Sequence, residues 1–224
     1  MASKSVLIVW GGWSGHTPRE CADVFEPWLK SRGYRVTISD NLDIYADKRR
    51  MRRFNLVIPI WTMGGISAEQ WQGLRDALLN GTNIAGWHGG MCDSFRENTD
   101  YQFMTGGQWV AHPGGIVRYK VKITKPGDPI VKDIGDFYVR SEQYYMHTDP
   151  GNEVLATTTF SGRHDNIPWI KGTIMPVIWK RRYGKARVFY SSLGHTAEEF
   201  SHPPIFKIMK RGILWAIGDS PSAV

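Results

Sequence analysis

The stretch "AGWHGGMC", Ala85 to Cys92, decides how the chain is read. It follows a short apolar run and has the form of the strand-to-helix turn on which many α/β enzymes mount a nucleophile. In that turn, Gly-x-Ser-x-Gly or its cysteine version, strain pushes the central side chain into the open. Here the centre is His88. An imidazole stands where the architecture usually places a covalent nucleophile, and the surrounding sequence must supply its purpose.

Working outward from that turn, "NIAGW" before it reads as a strand, and three more strands precede it. "SVLIVW", Ser5 to Trp10, is β-branched, apolar and closed by Gly11-Gly12, as a buried strand should be. "YRVTIS" and "NLVIPIW" follow the same rule, the latter apolar throughout as strands buried on both faces are. Between them lie helix signals. "TPRE" predicts Thr17 as N-cap, Pro18 at the first helical position and Glu20 closing a capping box, with the helix running through Phe25 and Leu29 to Gly33. "SAEQWQGLRDALLNG" repeats the grammar, with Ser67 as cap, Gln70 three residues on, Trp71, Leu74 and Leu78 along one face, and Gly81 at the end.

Strand and helix alternating at this spacing imply βαβ units and right-handed crossovers. The expected fold is α/β: a flavodoxin-like, doubly wound, mostly parallel sheet with helices on both faces. After the turn, residues 89–115 give no regular pattern. "GIVRYKVKI" then alternates like an exposed strand, "EVLATTTF" and "VIWKRR" add two more, and "ARVFYSSLGH", Ala186 to His195, is a last buried strand ending in a Gly-His turn. A closing helix is predicted from about Pro204 to Ala216. With 224 residues, 42% of them hydrophobic, the chain suits one core, and residues 1–224 are read as one domain.

Charge and cysteine content narrow the function classes. The formal charge is +7, but "DKRRMRR" holds Lys48, Arg49, Arg50, Arg52 and Arg53, and 7 − 5 leaves +2 for the rest. One local run reads as a solvated helix surface rather than a face built for nucleic acid. Two cysteines, Cys21 and Cys92, lie far apart without metal-ligand spacing and fit a reducing compartment. The apolar run in "MASKSVLIVWGG" is too short for a signal core or a membrane span. The expectation is a cytoplasmic protein with neither nucleic acid nor membrane as partner.

Ligands of open α/β sheets sit outside the carboxyl ends of the strands. His16 follows the first strand, His88 the fourth and His195 the last, so the topology aims three imidazoles into one crevice. His112 in "VAHPGG" and His147 in "YYMHTD" read as lying in loops rich in Gly, Pro or Tyr. Such a cluster can bind a metal, relay protons, or both. Glu142 in "SEQYY" is the nearest carboxylate candidate, whereas Glu198 and Glu199 read as the first turn of a helix. Ten Trp residues are unusual for this length, several lie in Gly- or His-containing stretches, and Trp13, Trp61, Trp87 and Trp109 fall near strand ends, where a flat ring can wall a sugar site.

The ordered stretches "VWGGWSGH", "NIAGWHGG", "FMTGGQWVAHPGG", "SEQYYMHTDPGNEVLATT", "MPVIWKRRYGKARVFYSSLGH" and "RGILWAIG" resemble the ThuA, or trehalose-utilisation, family of the class I glutamine amidotransferase-like superfamily. The resemblance spans essentially the whole chain and departs from the family only trivially, with Ala186 where relatives often have Gly. It implies that His88 occupies the place of the amidotransferase nucleophile. Cys92, four residues later, cannot replace it by spacing, and Ala197 two residues after His195 breaks the His-x-Glu pair of those enzymes, so a cysteine-dependent glutaminase is not expected. The positions carried over are His16, His88, Glu142 and His195, as catalytic residues and candidate metal ligands, with His112 and Tyr144 beside them.

The family is associated with the use of trehalose and related disaccharides, alongside a dehydrogenase that oxidises a sugar hydroxyl at C3. The resemblance therefore implies a 3-keto-glycoside, such as 3-keto-trehalose, cleaved by His/Glu acid-base chemistry in the manner of a hydrolase or lyase. A divalent metal, zinc or similar, is the candidate cofactor; no nucleotide is expected. Trp13, Trp61, Trp87, Trp109, His112, Tyr144 and His147 are the candidate sugar contacts, and a homo-oligomer is a candidate assembly. The alternative is a non-catalytic carbohydrate- or partner-binding protein of the same superfamily.

Overall fold

Strand β1, Ser5–Gly12, divides the molecule in two, because Val6 and Ile8 pack into the core on one face while Leu7 and Val9 pack into the core on the other. All four are fully buried, which is why the run is apolar without alternation. The structure, a computed structural model, describes residues 3–224. Beside β1 lie β2 (Arg35–Ser39) and β3 (Leu56–Thr62), followed by β4 (Asn83–Trp87) and β11 (Ala186–Ser191), all paired in parallel.

The same sheet continues through β10 (Ile174–Tyr183), β9 (Glu153–Thr159), β6 (Ile116–Ile123) and β7 (Phe137–Glu142), giving the order β2-β1-β3-β4-β11-β10-β9-β6-β7. These last pairings are antiparallel, so only β10 and β6 run against the common direction, and β7 again points its carboxyl end the way β1, β4 and β11 do. Helices α1 (Pro18–Ser31) and α6 (Pro203–Ile217) cover one face; α3 (Ala68–Leu79) and the short α2 (Lys48–Met51) cover the other.

Residues 89–115, unreadable from the sequence, fold into α4 (Gly89–Cys92), α5 (Thr99–Thr105) and β5 (Gly107–Ala111), and β5 pairs with β8 (Tyr145–Thr148) in a separate two-stranded sheet. The basic run is the exposed helix α2, with the Asp47 carboxylate accepting the N–H groups of Arg49 and Arg50. Among the described residues, no helix is long and apolar enough to cross a membrane.

The two predicted capping boxes part company. At Ser67 the box forms: its hydroxyl accepts the Gln70 N–H at 3.1 Å and Gln70 Oε1 accepts the Ser67 N–H at 2.9 Å. At Thr17 it does not, because Thr17 sits at φ 46° and its hydroxyl instead accepts the Ala197 N–H at 2.9 Å. That bond ties the loop after β1 to the loop after β11, and tertiary contact has displaced a local cap. Ser67→Ala is expected to lower the unfolding free energy by about 1 kcal/mol in urea titration, and an unchanged midpoint would show that the box contributes nothing.

Candidate active site

Strand β4 delivers His88 through a strained turn. Its backbone lies at φ 47° and ψ −141°, a conformation that L-residues avoid and that costs about 1–3 kcal/mol. The surroundings impose it: the His88 N–H donates to Ser191 O at 2.7 Å, and the Tyr190 hydroxyl donates to His88 O at 3.0 Å. Gly89 follows because a Cβ there would stand 2.5 Å from the His16 ring. The turn thus keeps the strained geometry of a nucleophile elbow while presenting an imidazole.

The imidazole edges converge on one carboxylate. Glu142 Oε2 lies 3.1 Å from His88 Nε2 and 3.9 Å from His16 Nε2, and its Oε1 lies 3.5 Å from His195 Nε2 and 3.7 Å from His112 Nε2. His16, His88 and Glu142 are 7%, 1% and 8% exposed. Ligand atoms of His16, His88, Glu142 and His195 all fall within 4.8 Å of one another. Burial works to raise the Glu142 pKa, but the surrounding imidazoles of His16, His88 and His195 outweigh it and hold the group well below the usual carboxylate range. Burial lowers the pKa of His88 and of His195, against the opposing pull of Glu142.

The hydrogen-bond roles test whether this set fits a metal. His88 Nδ1 is 2.7 Å from Ser192 O, and a carbonyl only accepts, so Nδ1 carries the proton. A neutral His88 then turns the lone pair of Nε2 toward a carboxylate oxygen at 3.1 Å, two acceptors face to face in a buried site. A cation between them removes that conflict, and imidazole with carboxylate is a donor set suited to zinc and similar divalent ions. Outer partners hold the ligands as metal sites require: Thr62 Oγ1 lies 2.8 Å from His16 Nδ1, and the Tyr144 ring stacks on His88 at 4.0 Å. The Glu199 carboxylate accepts the N–H groups of Gly194 and His195, fixing the last Gly-His turn.

A cavity of about 240 Å³ opens beside the cluster, with Trp13, His112, Trp109, Asp93 and Arg96 in its wall. Asp93 is buried and forms a two-pronged pair with Arg96, at 2.6 and 2.9 Å, and the Arg96 guanidinium lies 4.7 Å above the Trp109 ring. Larger clefts lie elsewhere: one of about 370 Å³ at the start of α3 holds no imidazole, and one of about 530 Å³ includes His195.

Residues 5–216 match the family model described as ThuA, trehalose utilisation. The chain belongs to the ThuA family. Among solved structures, a ThuA-like protein from Bacteroides uniformis superimposes with a TM-score of 0.79 at 14% identity over 99% of this chain and 96% of that one. A ThuA-like protein from Parabacteroides merdae gives 0.76 at 15% identity over 98% and 92%. A β-galactosidase from Bacillus circulans matches with 0.61 at 10% identity, over 98% of this chain but 32% of its own. At such identities the likeness is one of fold. No curated protein matches the chain.

On this ThuA fold, His16, His88, Glu142, His195, His112 and Tyr144 come together, and Trp13 and Trp109 stand at the cavity beside them. Three expected sugar contacts do not. Trp87 is 2% exposed, its ring wedged between Phe25 and Phe200, because the residue before His88 on the strand faces the core. Trp61 lies flat over Gly11 and outside the cavity lining. His147 points outward from β8 into a separate cleft beside Thr99 and Gln102. Asp93, Arg96, Thr62 and the Ser192 carbonyl went unnoticed in the sequence; the i,i+3 Asp-Arg spacing was the only signal for any of them.

Elemental analysis of protein grown with added zinc is expected to find close to one divalent ion per chain, lost in His88→Ala and Glu142→Gln. Thr62→Val, which removes the His16 Nδ1 partner, should weaken zinc binding by roughly ten-fold or more. Equal metal content in wild type and His88→Ala would contradict the assignment.

Proposed function

We propose that this ThuA protein cleaves 3-keto-glycosides, 3-keto-trehalose or a related disaccharide, without a covalent intermediate. One observation carries the reading: imidazole nitrogens and a carboxylate, all within 4.8 Å of one another, gather at the edge of a cavity that offers aromatic walls and a charged Asp-Arg pair. A ketone at C3 acidifies the C2 hydrogen, so the chemistry needs a base, an acid and a stabiliser for the enolate oxygen. His16, His88 and Glu142, the three most buried donors, would hold a divalent ion, which when bound acts as a Lewis acid toward a carbonyl oxygen.

Two imidazoles remain for proton transfer. His112 lines the cavity with its side chain 36% exposed, and it is placed to take the C2 proton. The C–H electron pair first forms the enolate and then the C1–C2 double bond as the C1–O bond breaks. His195, at the other side of Glu142, donates a proton to the departing oxygen. Water then adds to C1, giving its proton to His195, and His112 returns its proton to C2, so one water is consumed and two sugars leave; release before water adds makes the same chemistry a lyase. The Trp13 and Trp109 faces suit the C–H face of a pyranose, and Asp93 with Arg96 suits its hydroxyls. A sugar dehydrogenase acting first at C3 would supply the substrate.

Neither cysteine is needed. Burial pushes the Cys21 thiol up to about 12 and the Cys92 thiol higher, so both stay protonated and inert. Incubation with 3-keto-trehalose should release glucose, with the release abolished by chelator and by His88→Ala, retained in Cys92→Ala, and slowed roughly 10²–10⁴-fold in His112→Ala. No release under any metal condition, with the sugar merely bound, would overturn the proposal in favour of a non-catalytic binding protein. Release unaffected by His88→Ala would overturn the site.

A further inference from the structure

The cluster has two open sides. His16 and Glu142 line the cavity of about 240 Å³, whereas His195, 3.5 Å from the same carboxylate, lines a groove of about 530 Å³ on its other side. The smaller space falls below the roughly 300–1,000 Å³ usual for small-molecule sites, too small for both rings of a disaccharide. A glycosidic bond lying over the cluster would place one ring in each space.

We propose that the groove beyond His195 binds the leaving half of the substrate, a neutral pyranose; this rests on the glycoside-cleaving reading above. The groove has the mixed character a sugar ring requires. The exposed Ile116, backed by the buried Val139 and Ile205, gives an apolar surface for ring C–H groups, and Arg140, Thr196 and Glu198 give hydroxyl partners around it. Arg140 and Glu198 have no ion-pair partner among the described residues, so their hydrogen-bonding capacity is unspent. His202 also lines the groove, and its buried Nδ1 has no partner.

Strand β7, from which Val139 and Arg140 come, is the edge of the nine-stranded sheet, and its outer backbone groups face no further strand. The groove carries no tryptophan, in contrast to the cavity with Trp13 and Trp109. A looser hold on this half favours its release after the bond breaks. The arrangement also gives His195 a defined duty, since the side chain that separates groove from cluster faces the oxygen that departs with the second ring.

Two measurements test the groove. The first is the ratio of kcat/KM for 3-keto-trehalose to that for methyl 3-keto-α-glucoside, which has no second ring. In Arg140→Ala and Glu198→Ala the ratio should fall roughly ten-fold or more, the size of a lost hydrogen bond to a charged group; an unchanged ratio overturns the proposal. The second needs no turnover. Trehalose and D-glucose are titrated into protein labelled at isoleucine methyls, and the Ile116 and Ile205 resonances should shift, with the shift diminished in Arg140→Ala. Failure of either sugar to move both methyls overturns the groove. If wild type cleaves neither glycoside, the cleavage reading fails and the methyl shifts decide the sugar site by themselves.

Discussion

A carboxylate encircled by four imidazole edges is the constraint from which the rest of this structure follows. Glu142 is buried and ionised, and charge in that position is tolerated only if it is matched. His88 cannot match it alone, because its proton is committed to the Ser192 carbonyl and burial disfavours a second one. The cluster is therefore a donor set that could hold a divalent cation.

Bringing Glu142 to His88 shapes the sheet. In the strand order, β4 and β7 are five steps apart, and at about 4.8 Å per step a flat sheet would hold them about 24 Å apart. The side chains touch at 3.1 Å, so the antiparallel half must curl over the carboxyl ends of the parallel half. The curl makes the cavity: its walls come from the segments after β1 and β4 on one side and from β5, Glu142 at the end of β7 and Tyr144 on the other. Strain at His88 and the Thr17 link between the two outer histidine loops hold the parallel side of the site to its shape.

How much of this was legible depended on the range over which each feature is determined. The parallel half follows from local rules, since runs buried on both faces and the Ser67 cap are written within a few residues. His16, His88 and His195 followed from those elements, because strand ends on one edge meet by topology. Glu142 was only the nearest carboxylate candidate until family resemblance singled it out, and Tyr144 came from that resemblance alone, for no local pattern reveals that an edge strand curls back. The same gap hid Thr62 and the Ser192 carbonyl, one a strand residue and the other a backbone atom. Trp87 is buried although Trp13, beside a glycine like it, is exposed, because burial depends on which face of the strand each ring takes. Thr17 carried a sound cap signal that a bond to Ala197 overrode.

The most direct measurement is ¹⁵N NMR of the histidine ring nitrogens, recorded without metal and during titration with zinc. His88 Nδ1 is expected to remain protonated throughout, held by Ser192, while the Nε2 signals of His88 and His16 move together and saturate at one zinc per chain. A His88 protonated at both nitrogens, with Nε2 donating to Glu142 and no response to zinc or any other divalent ion, would show that the cluster is a buried ion pair and not a metal centre.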